Sequence, residues 1–272
     1  MKISNELEKS KGIVVFAFNT DKVDYVGIAD KTSAIANRTL GLPITLVTDY
    51  DSDPKFNYDN IIRVENKKSN IRPTRSGEIK QWRNFDRYMA FELSPYYETL
   101  LVDIDYLILD DSLLKLFETD FDYKLMFNTV SPDGQMSTDM GFRSLDFIWA
   151  TVVLFRKTAK SKMYFDLIGR IQRNYAYYKA LYNCTGTYRN DFAFAIANHI
   201  LNGYITDKTL GIPWQMISFD DIVNSIEFHN NMLLVREQSR CVITPVQNLH
   251  IMDKQYLVSD NFDKFTERFL NV

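Results

Sequence analysis

Two aspartates one residue apart, Asp103 and Asp105, stand inside an otherwise apolar run, TLLVDIDYLIL at 99–109. In an extended strand residues i and i+2 face the same side, so the spacing predicts two carboxylates pointing together from the end of a buried strand. Leaving both anions unpartnered there costs on the order of several kcal/mol, or forces one to take up a proton. A divalent cation removes the conflict. Mg²⁺ and Mn²⁺ favour oxygen ligands, and Mg²⁺ takes one or two carboxylates together with substrate phosphates. The alternative use of such a pair is to cap a turn or to pair with arginine. The chemistry these residues invite is the gripping of a diphosphate.

The surrounding pattern predicts the elements that would position them. IVVFAF at 13–18 and ITLVTD at 44–49 are short apolar runs of strand length, and each ends in polar residues: Asn19-Thr20 after the first and Thr48-Asp49 closing the second. Between them Val23, Val26, Ala29, Ile35, Ala36 and Leu40 recur at helical spacing, with Gly41 as the stop and Pro43 beyond it. IIRVE at 61–65 reads as a third strand. A basic segment from Lys67 to Gly77 reads as a loop. Trp82, Phe85, Met89 and Leu93 predict a helix over 79–93. Further strands are expected at 123–128, 147–155, 232–236 and 241–244, and helices at 158–182 and 189–201. Strands alternating with helices predict an α/β fold with a mostly parallel sheet, helices on both faces and ligands at the carboxyl ends of the strands.

With 272 residues and 46% hydrophobic content, the chain is read as one domain: a core to about residue 205 and an extension over about 206–272 that closes the site. Two cysteines make no disulfide framework and fit a reducing cytoplasm. The charged start MKISNELEKSKG does not read as a signal peptide, and no apolar run reaches the roughly 20 residues that a membrane span needs. A net charge of −3 argues against a protein that works mainly by coating nucleic acid. Two basic stretches, Lys67 to Arg87 and Arg156 to Lys179, still leave room for a polyanionic partner.

Lys80-Gln-Trp-Arg83, then Tyr88 through Leu93, then TLLVDIDYLIL together resemble the nucleotide-diphospho-sugar glycosyltransferases of the GT-A (Rossmann-like) fold, most closely the family 8 layout of glycogenin and related galactosyltransferases. The resemblance covers residue 13 to about 200 in outline, and the paired aspartates are its one specific part. It implies that Asp103 and Asp105 coordinate Mn²⁺ or Mg²⁺. It places Phe18, Asn19, Thr20 and Asp49 near the nucleoside of the donor, and brings Lys80 or Arg83, on the helix before the strand, to the diphosphate or sugar. The family often adds a late histidine as third ligand in a segment that also carries a lysine. Leu249-His-Ile-Met-Asp-Lys254 matches this with His250 and Lys254, although Met252-Asp253 replaces the usual glycine. Trp149-Ala150-Thr151 stands where the family has an Asn-Ala-Gly turn. Asp191, in Tyr188-Arg-Asn-Asp191, resembles the acidic element near the anomeric carbon.

The activity implied is transfer of a sugar from a nucleoside diphosphate donor, in this family a UDP-sugar, to an acceptor hydroxyl. Inversion would need a carboxylate base such as Asp191 or Asp139; the family resemblance implies retention. The layout is also similar to sugar transferases of large tailed phages, which makes hydroxymethylcytosine in phage DNA one acceptor to consider beside a glycan, lipid-linked or protein acceptor. A nucleotidyltransferase would show a glycine-rich phosphate loop that the sequence lacks. A two-metal phosphohydrolase would need more histidines than three. A domain that binds nucleotide-sugar without turnover would bind donor with no metal dependence.

Overall fold

The computed structural model describes residues 10–65, 70–73, 79–84, 86–135 and 145–271. Strand β1 (Lys11–Phe16) is buried from Gly12 onward, as its β-branched run requires. Helix α1 (Tyr25–Leu40) opens on Asp24, which accepts the Gly27 N–H at 2.9 Å, and closes on Gly41 at φ 62°. Strand β2 (Ile44–Thr48) is buried throughout, and β3 (Asn60–Arg63) is its outer neighbour. The chain continues through a hairpin, β4 (Asn70–Pro73) and β5 (Ile79–Trp82), and a short helix α2 (Ala90–Leu93) to β6 (Glu98–Val102) and β7 (Tyr106–Leu107). After β8 (Tyr123–Met126), β9 (Thr129–Val130) and β10 (Trp149–Arg156) come helices α3 (Ala159–Arg173), α4 (Tyr175–Leu181) and α5 (Asn190–Leu201). The rest comprises β11 (Met216–Phe219), β12 (Val223–His229), β13 (Met232–Glu237), β14 (Cys241–Pro245), β15 (Leu249–Ile251), α6 (Lys254–Leu257) and α7 (Asp260–Asn271).

The central sheet runs β3-β2-β1-β6-β10-β8. The first four strands are parallel, β10 is antiparallel to both its neighbours, and β8 therefore runs with the majority. This is the mostly parallel α/β sheet expected from the alternation of elements. A second sheet, β7-β15-β11-β9, joins the middle of the chain to its C-terminal part. The strands β12-β13-β14 form a separate antiparallel meander.

Helices α3 and α5 meet the sheet through a cluster of rings. Tyr123 stacks on Tyr164 at 4.2 Å, Phe165 lies 4.7 Å from Phe155, and the Tyr164 hydroxyl donates to the Phe194 carbonyl at 2.9 Å. On α1 lies α7, tied by Arg38 Nη1 to the Leu270 carbonyl at 2.6 Å. Its Phe265 and Phe269 stack on Phe228 of the meander.

Gly12 shows how tightly β1 is seated. A Cβ there would lie 2.4 Å from the buried Tyr96 ring, whose hydroxyl accepts from Thr45 Oγ1 at 2.9 Å. Gly12→Ala is expected to cost about 1–3 kcal/mol by overpacking, read by urea unfolding. A change below about 0.5 kcal/mol, the size of an ordinary surface substitution, would show that the ring has room to move.

Three expected elements differ. Residues 79–82 form a strand, so the helix predicted over 79–93 is reduced to a 3-10 turn at Arg87–Met89 and the four residues of α2. The Lys67–Gly77 segment contains the partner strand of that hairpin, so cross-strand pairing overrides a helical spacing that four apolar residues alone cannot secure. The run 99–109 is not one strand. It breaks after Val102 into a turn closed by the Tyr106 N–H on the Asp103 carbonyl at 3.1 Å, and then leaves the central sheet. The helix expected at 158–182 is interrupted at Asn174.

Candidate functional site at the carboxyl edge of the sheet

Parallel strands β1, β2 and β6 end together. Phe16 is level with Val47, and Val15 with Val102, so Phe18-Asn19, Asp49 and Asp103 emerge along one edge. The antiparallel β10 starts at the same edge, where the Asp103 N–H donates to the Thr151 carbonyl at 2.8 Å. The second sheet then delivers residues from far along the chain. Tyr106 is in register with His250, and the Ile251 N–H donates to the Asp105 carbonyl at 2.9 Å. One turn after that strand, Lys254 opens α6.

The two carboxylates therefore do not project side by side from an extended strand. They sit in a turn and face different partners. Asp103 Oδ1 receives Nη1 of Arg87, a side chain only 1% exposed, and lies 3.4 Å from Asn84 Nδ2. Asp105 Oδ2 receives Lys254 Nζ and lies 3.4 Å from His250 Nε2. Burial pushes the Asp103 carboxyl up to about 6, with Arg87 pulling against it and the Asp105 charge adding to the push. Burial opposes ionisation of Asp105 as well, but Lys254 and His250 outweigh it and hold that carboxyl well below the usual range.

His250 is buried, not a surface histidine. Its Nδ1 is 2.9 Å from Ser218 Oγ, and its ring meets that of Trp149 edge to face at 5.4 Å. Several polar atoms around this edge are buried with no hydrogen-bond partner: Asp105 Oδ1, Arg87 Nε, Asn84 Oδ1 and Trp149 Nε1. Buried polar atoms usually find a partner, so these four are open to a polar ligand.

Among the described residues no three His, Cys, Asp or Glu side chains are gathered around a point that would hold a metal ion. What is in place is the Asp105–His250 pair, with Oδ1 of Asp105 unpartnered beside it. The carboxylate oxygen is of the kind that Mn²⁺ and Mg²⁺ favour, and the imidazole nitrogen is a softer second donor, better matched to Mn²⁺ than to Mg²⁺. Arg87 and Asn84 both meet Oδ1 of Asp103, so Oδ2 is the oxygen that could join.

Phe18 lines a pocket of about 280 Å³ with Phe16, Val64, Glu65, Asp86, Met89 and Leu93. Asn19 and Thr20 are used locally: Asn19 Oδ1 accepts the Val26 N–H at 2.8 Å and Thr20 Oγ1 the Val23 N–H at 3.2 Å, which ties the β1–α1 loop. Asp49 accepts from Ser52 Oγ at 2.5 Å and lies 3.9 Å from Arg83 Nη1. Lys80 lies on β5, not on a helix, and its side chain falls outside the described residues, as does all of Asp139. Asp191 lies in the first turn of α5 without capping it. One oxygen accepts the Ala150 N–H at 3.0 Å, and the other takes Arg189 at 3.0 and 2.7 Å. Asn190 Nδ2 donates to the Asn84 carbonyl at 2.8 Å, which links α5 to the same edge.

Arg87 is the residue that the sequence reading missed. It was visible only as one of seven cations in a basic stretch, and nothing in its spacing singles it out. Ser218 carried no signal at all.

No family model and no curated protein matches this sequence. Solved structures do. The glycosyltransferase GlyE of Streptococcus pneumoniae TIGR4 matches at 14% identity over 75% of this chain, with a TM-score of 0.43, and the chain spans 46% of its length. An active-site mutant of LgtC matches at 15% identity over 96% of this chain and 94% of that one, with a TM-score of 0.55. LgtC in complex with donor and acceptor sugar analogs matches over the same shares at 0.50. At such identities the likeness speaks for architecture alone. The chain has the fold of the glycosyltransferase LgtC along nearly its whole length.

Proposed function

We propose that this chain is a metal-dependent glycosyltransferase that moves a sugar from a UDP-sugar, or a related nucleoside diphosphate donor, to an acceptor hydroxyl. The observation that carries the reading is the convergence of Asp105, His250 and Lys254, with Asp103 and Arg87 alongside, at the edge where α/β sheets bind ligands. Asp105 and His250, joined by Asp103, would hold Mn²⁺ or Mg²⁺. Such an ion, when bound, neutralises the charge that grows on a departing diphosphate. Lys254 and Arg87 add two fixed positive charges at the same edge, the preorganised kind of stabilisation that needs little reorganisation during reaction. The apolar pocket beside Phe18 has the character of a nucleoside subsite. Asp191 has both oxygens engaged, so it orients the start of β10 against α5 and is not a free base. That favours the retaining outcome implied by the family resemblance.

For the acceptor, hydroxymethylcytosine in DNA and glycans are to be offered side by side. Three cations of the second basic stretch are engaged within the chain. Arg156 is paired with Glu98, Lys157 donates to the Phe91 carbonyl, and Lys162 is paired with Glu92 and Asp166.

The test is thermal unfolding with UDP, other nucleoside diphosphates and UDP-sugars, each with and without Mn²⁺. A ligand of the native state at 100 times its Kd adds about 2.7 kcal/mol, a rise of about 5–10 °C for a chain of this size. A Mn²⁺-dependent rise with UDP or a UDP-sugar is expected. A rise that ignores Mn²⁺ would point to a binding domain without this chemistry. No rise with any nucleotide would end the transferase reading. Release of UDP, as opposed to pyrophosphate, separates sugar transfer from nucleotidyl transfer.

A further inference from the structure

His250 has two ring nitrogens with two different neighbours. Nε2 stands 3.4 Å from Asp105 Oδ2, and Nδ1 stands 2.9 Å from Ser218 Oγ. The second contact follows from topology. Ser218 of β11 and His250 of β15 are directly opposite each other in the parallel ladder, and both are buried, at 6% and 3% exposure. A neutral imidazole carries one proton on one nitrogen and a lone pair on the other. With the proton on Nε2, the ring donates toward Asp105, and Nδ1 must accept from the Ser218 hydroxyl. With the proton on Nδ1, the ring donates to Ser218 Oγ, and Nε2 presents a lone pair to the site. A hydroxyl both donates and accepts, so it satisfies either state. A carbonyl or carboxylate, the commoner partner of a ligating histidine, accepts only and would lock the second.

We infer that Ser218 is a positioning residue that lets His250 exchange tautomers, from Nε2–H facing Asp105 in the metal-free protein to Nδ1–H on Ser218 when a divalent cation takes the Nε2 lone pair. The inference rests on the reading of His250 as a metal ligand given above. In the exchange one proton leaves Nε2 for water and one is taken from water at Nδ1, so the ring stays neutral. The consequence is that Nδ1 of the ring keeps a partner without the ion as well as with it, while the Trp149 ring against the imidazole keeps the ring in place in both states.

The experiment compares the wild type with Ser218→Ala and Ser218→Thr. Free Mn²⁺ is titrated by electron paramagnetic resonance in the presence of UDP, and the tautomer of His250 is read by nitrogen-15 histidine NMR with and without Mg²⁺ and UDP. Ser218→Ala is expected to weaken Mn²⁺ binding by about 10–100-fold, the range typical of lost outer-shell partners, while Ser218→Thr binds as the wild type does. The wild-type ring is expected to pass from the Nε2–H to the Nδ1–H form on loading. Unchanged Mn²⁺ affinity in Ser218→Ala, or one tautomer throughout in the wild type, overturns the role of Ser218 and leaves the transferase reading standing. Absence of Mn²⁺ binding in the wild type itself brings down the metal reading and this inference together. If Ser218→Ala does not fold, the wild-type tautomer change and Ser218→Thr still decide the matter.

Discussion

Asp105→Asn is expected to lower metal-dependent donor turnover by about 10²–10³-fold. A bound ion supplies several kcal/mol of charge stabilisation in such a step, and each ~1.4 kcal/mol is a factor of ten in rate. Asparagine keeps the shape of the side chain but removes the charge that a divalent ion needs. Alanine is the poorer probe. Read from the sequence alone, Asp105→Ala removes a ligand and leaves the fold untouched. The structure shows that it would also strand Lys254, whose side chain is 11% exposed and whose Nζ would keep only the Met252 carbonyl at 3.2 Å. Losing one partner of a buried pair is costly because the other charge is left uncompensated, so lower stability is expected of both variants, and more of alanine, which also removes the oxygen that Lys254 donates to. Steady-state assays with Mn²⁺, beside thermal unfolding of each protein, separate the two effects. Wild-type turnover in Asp105→Asn would sink the metal assignment.

The second large effect is expected at Arg87. Its side chain is 1% exposed, its Nη1 meets Asp103 and its Nη2 lies 3.4 Å from the Thr151 carbonyl. Arg87→Met fills the space but removes the charge. It is expected to cost about 3 kcal/mol, at the lower end of what breaking a buried ion pair costs, because Asp103 is 29% exposed and can recover some hydration. The double variant Arg87→Met with Asp103→Asn removes both charges and should be less destabilised than the sum of the two single changes. Denaturant unfolding of the three proteins gives the coupling. Strict additivity would show that the pair carries no interaction energy and that Asn84 and solvent suffice for Asp103.

The class of the fold was legible because its signals are local. Buried parallel strands need near-continuous runs of apolar and β-branched residues, and 13–16, 44–48 and 99–102 have them, with polar residues where each strand leaves the sheet. Gly41 ends α1 through a bond made within the helix itself, from its N–H to the Asn37 carbonyl at 2.8 Å; the start is set by Asp24, not by the polar Asn19-Thr20-Asp21 break that the sequence offers as a cap. The paired aspartates were legible for a related reason: charges in an apolar run demand an explanation wherever the chain goes. Where the reading failed, a nonlocal interaction had replaced the local one. Trp82, Met89 and Leu93 keep helical spacing, yet residues 79–82 pair with 70–73, because a cross-strand partner satisfies the backbone that the helix would otherwise have to satisfy alone.

The sequence by itself singled out Asp103 and Asp105 as a pair that could do chemistry at a strand end, and the family resemblance added His250 and Lys254, along with Phe18, Asn19, Thr20, Asp49, Lys80, Arg83 and Asp191. Only the tertiary structure decided how they are used. Lys254 reaches Asp105 across 149 residues of chain, and it does so because the residues after the aspartate turn pair with β15 rather than continue β6. The same pairing sets His250 against Asp105 on one side and Ser218 on the other, and the 3-10 turn at Arg87–Met89 places Arg87 under Asp103. These are questions of register between distant strands. Register is set by the whole burial pattern of a sheet, since a slip of one residue would turn every side chain of a strand to the opposite face.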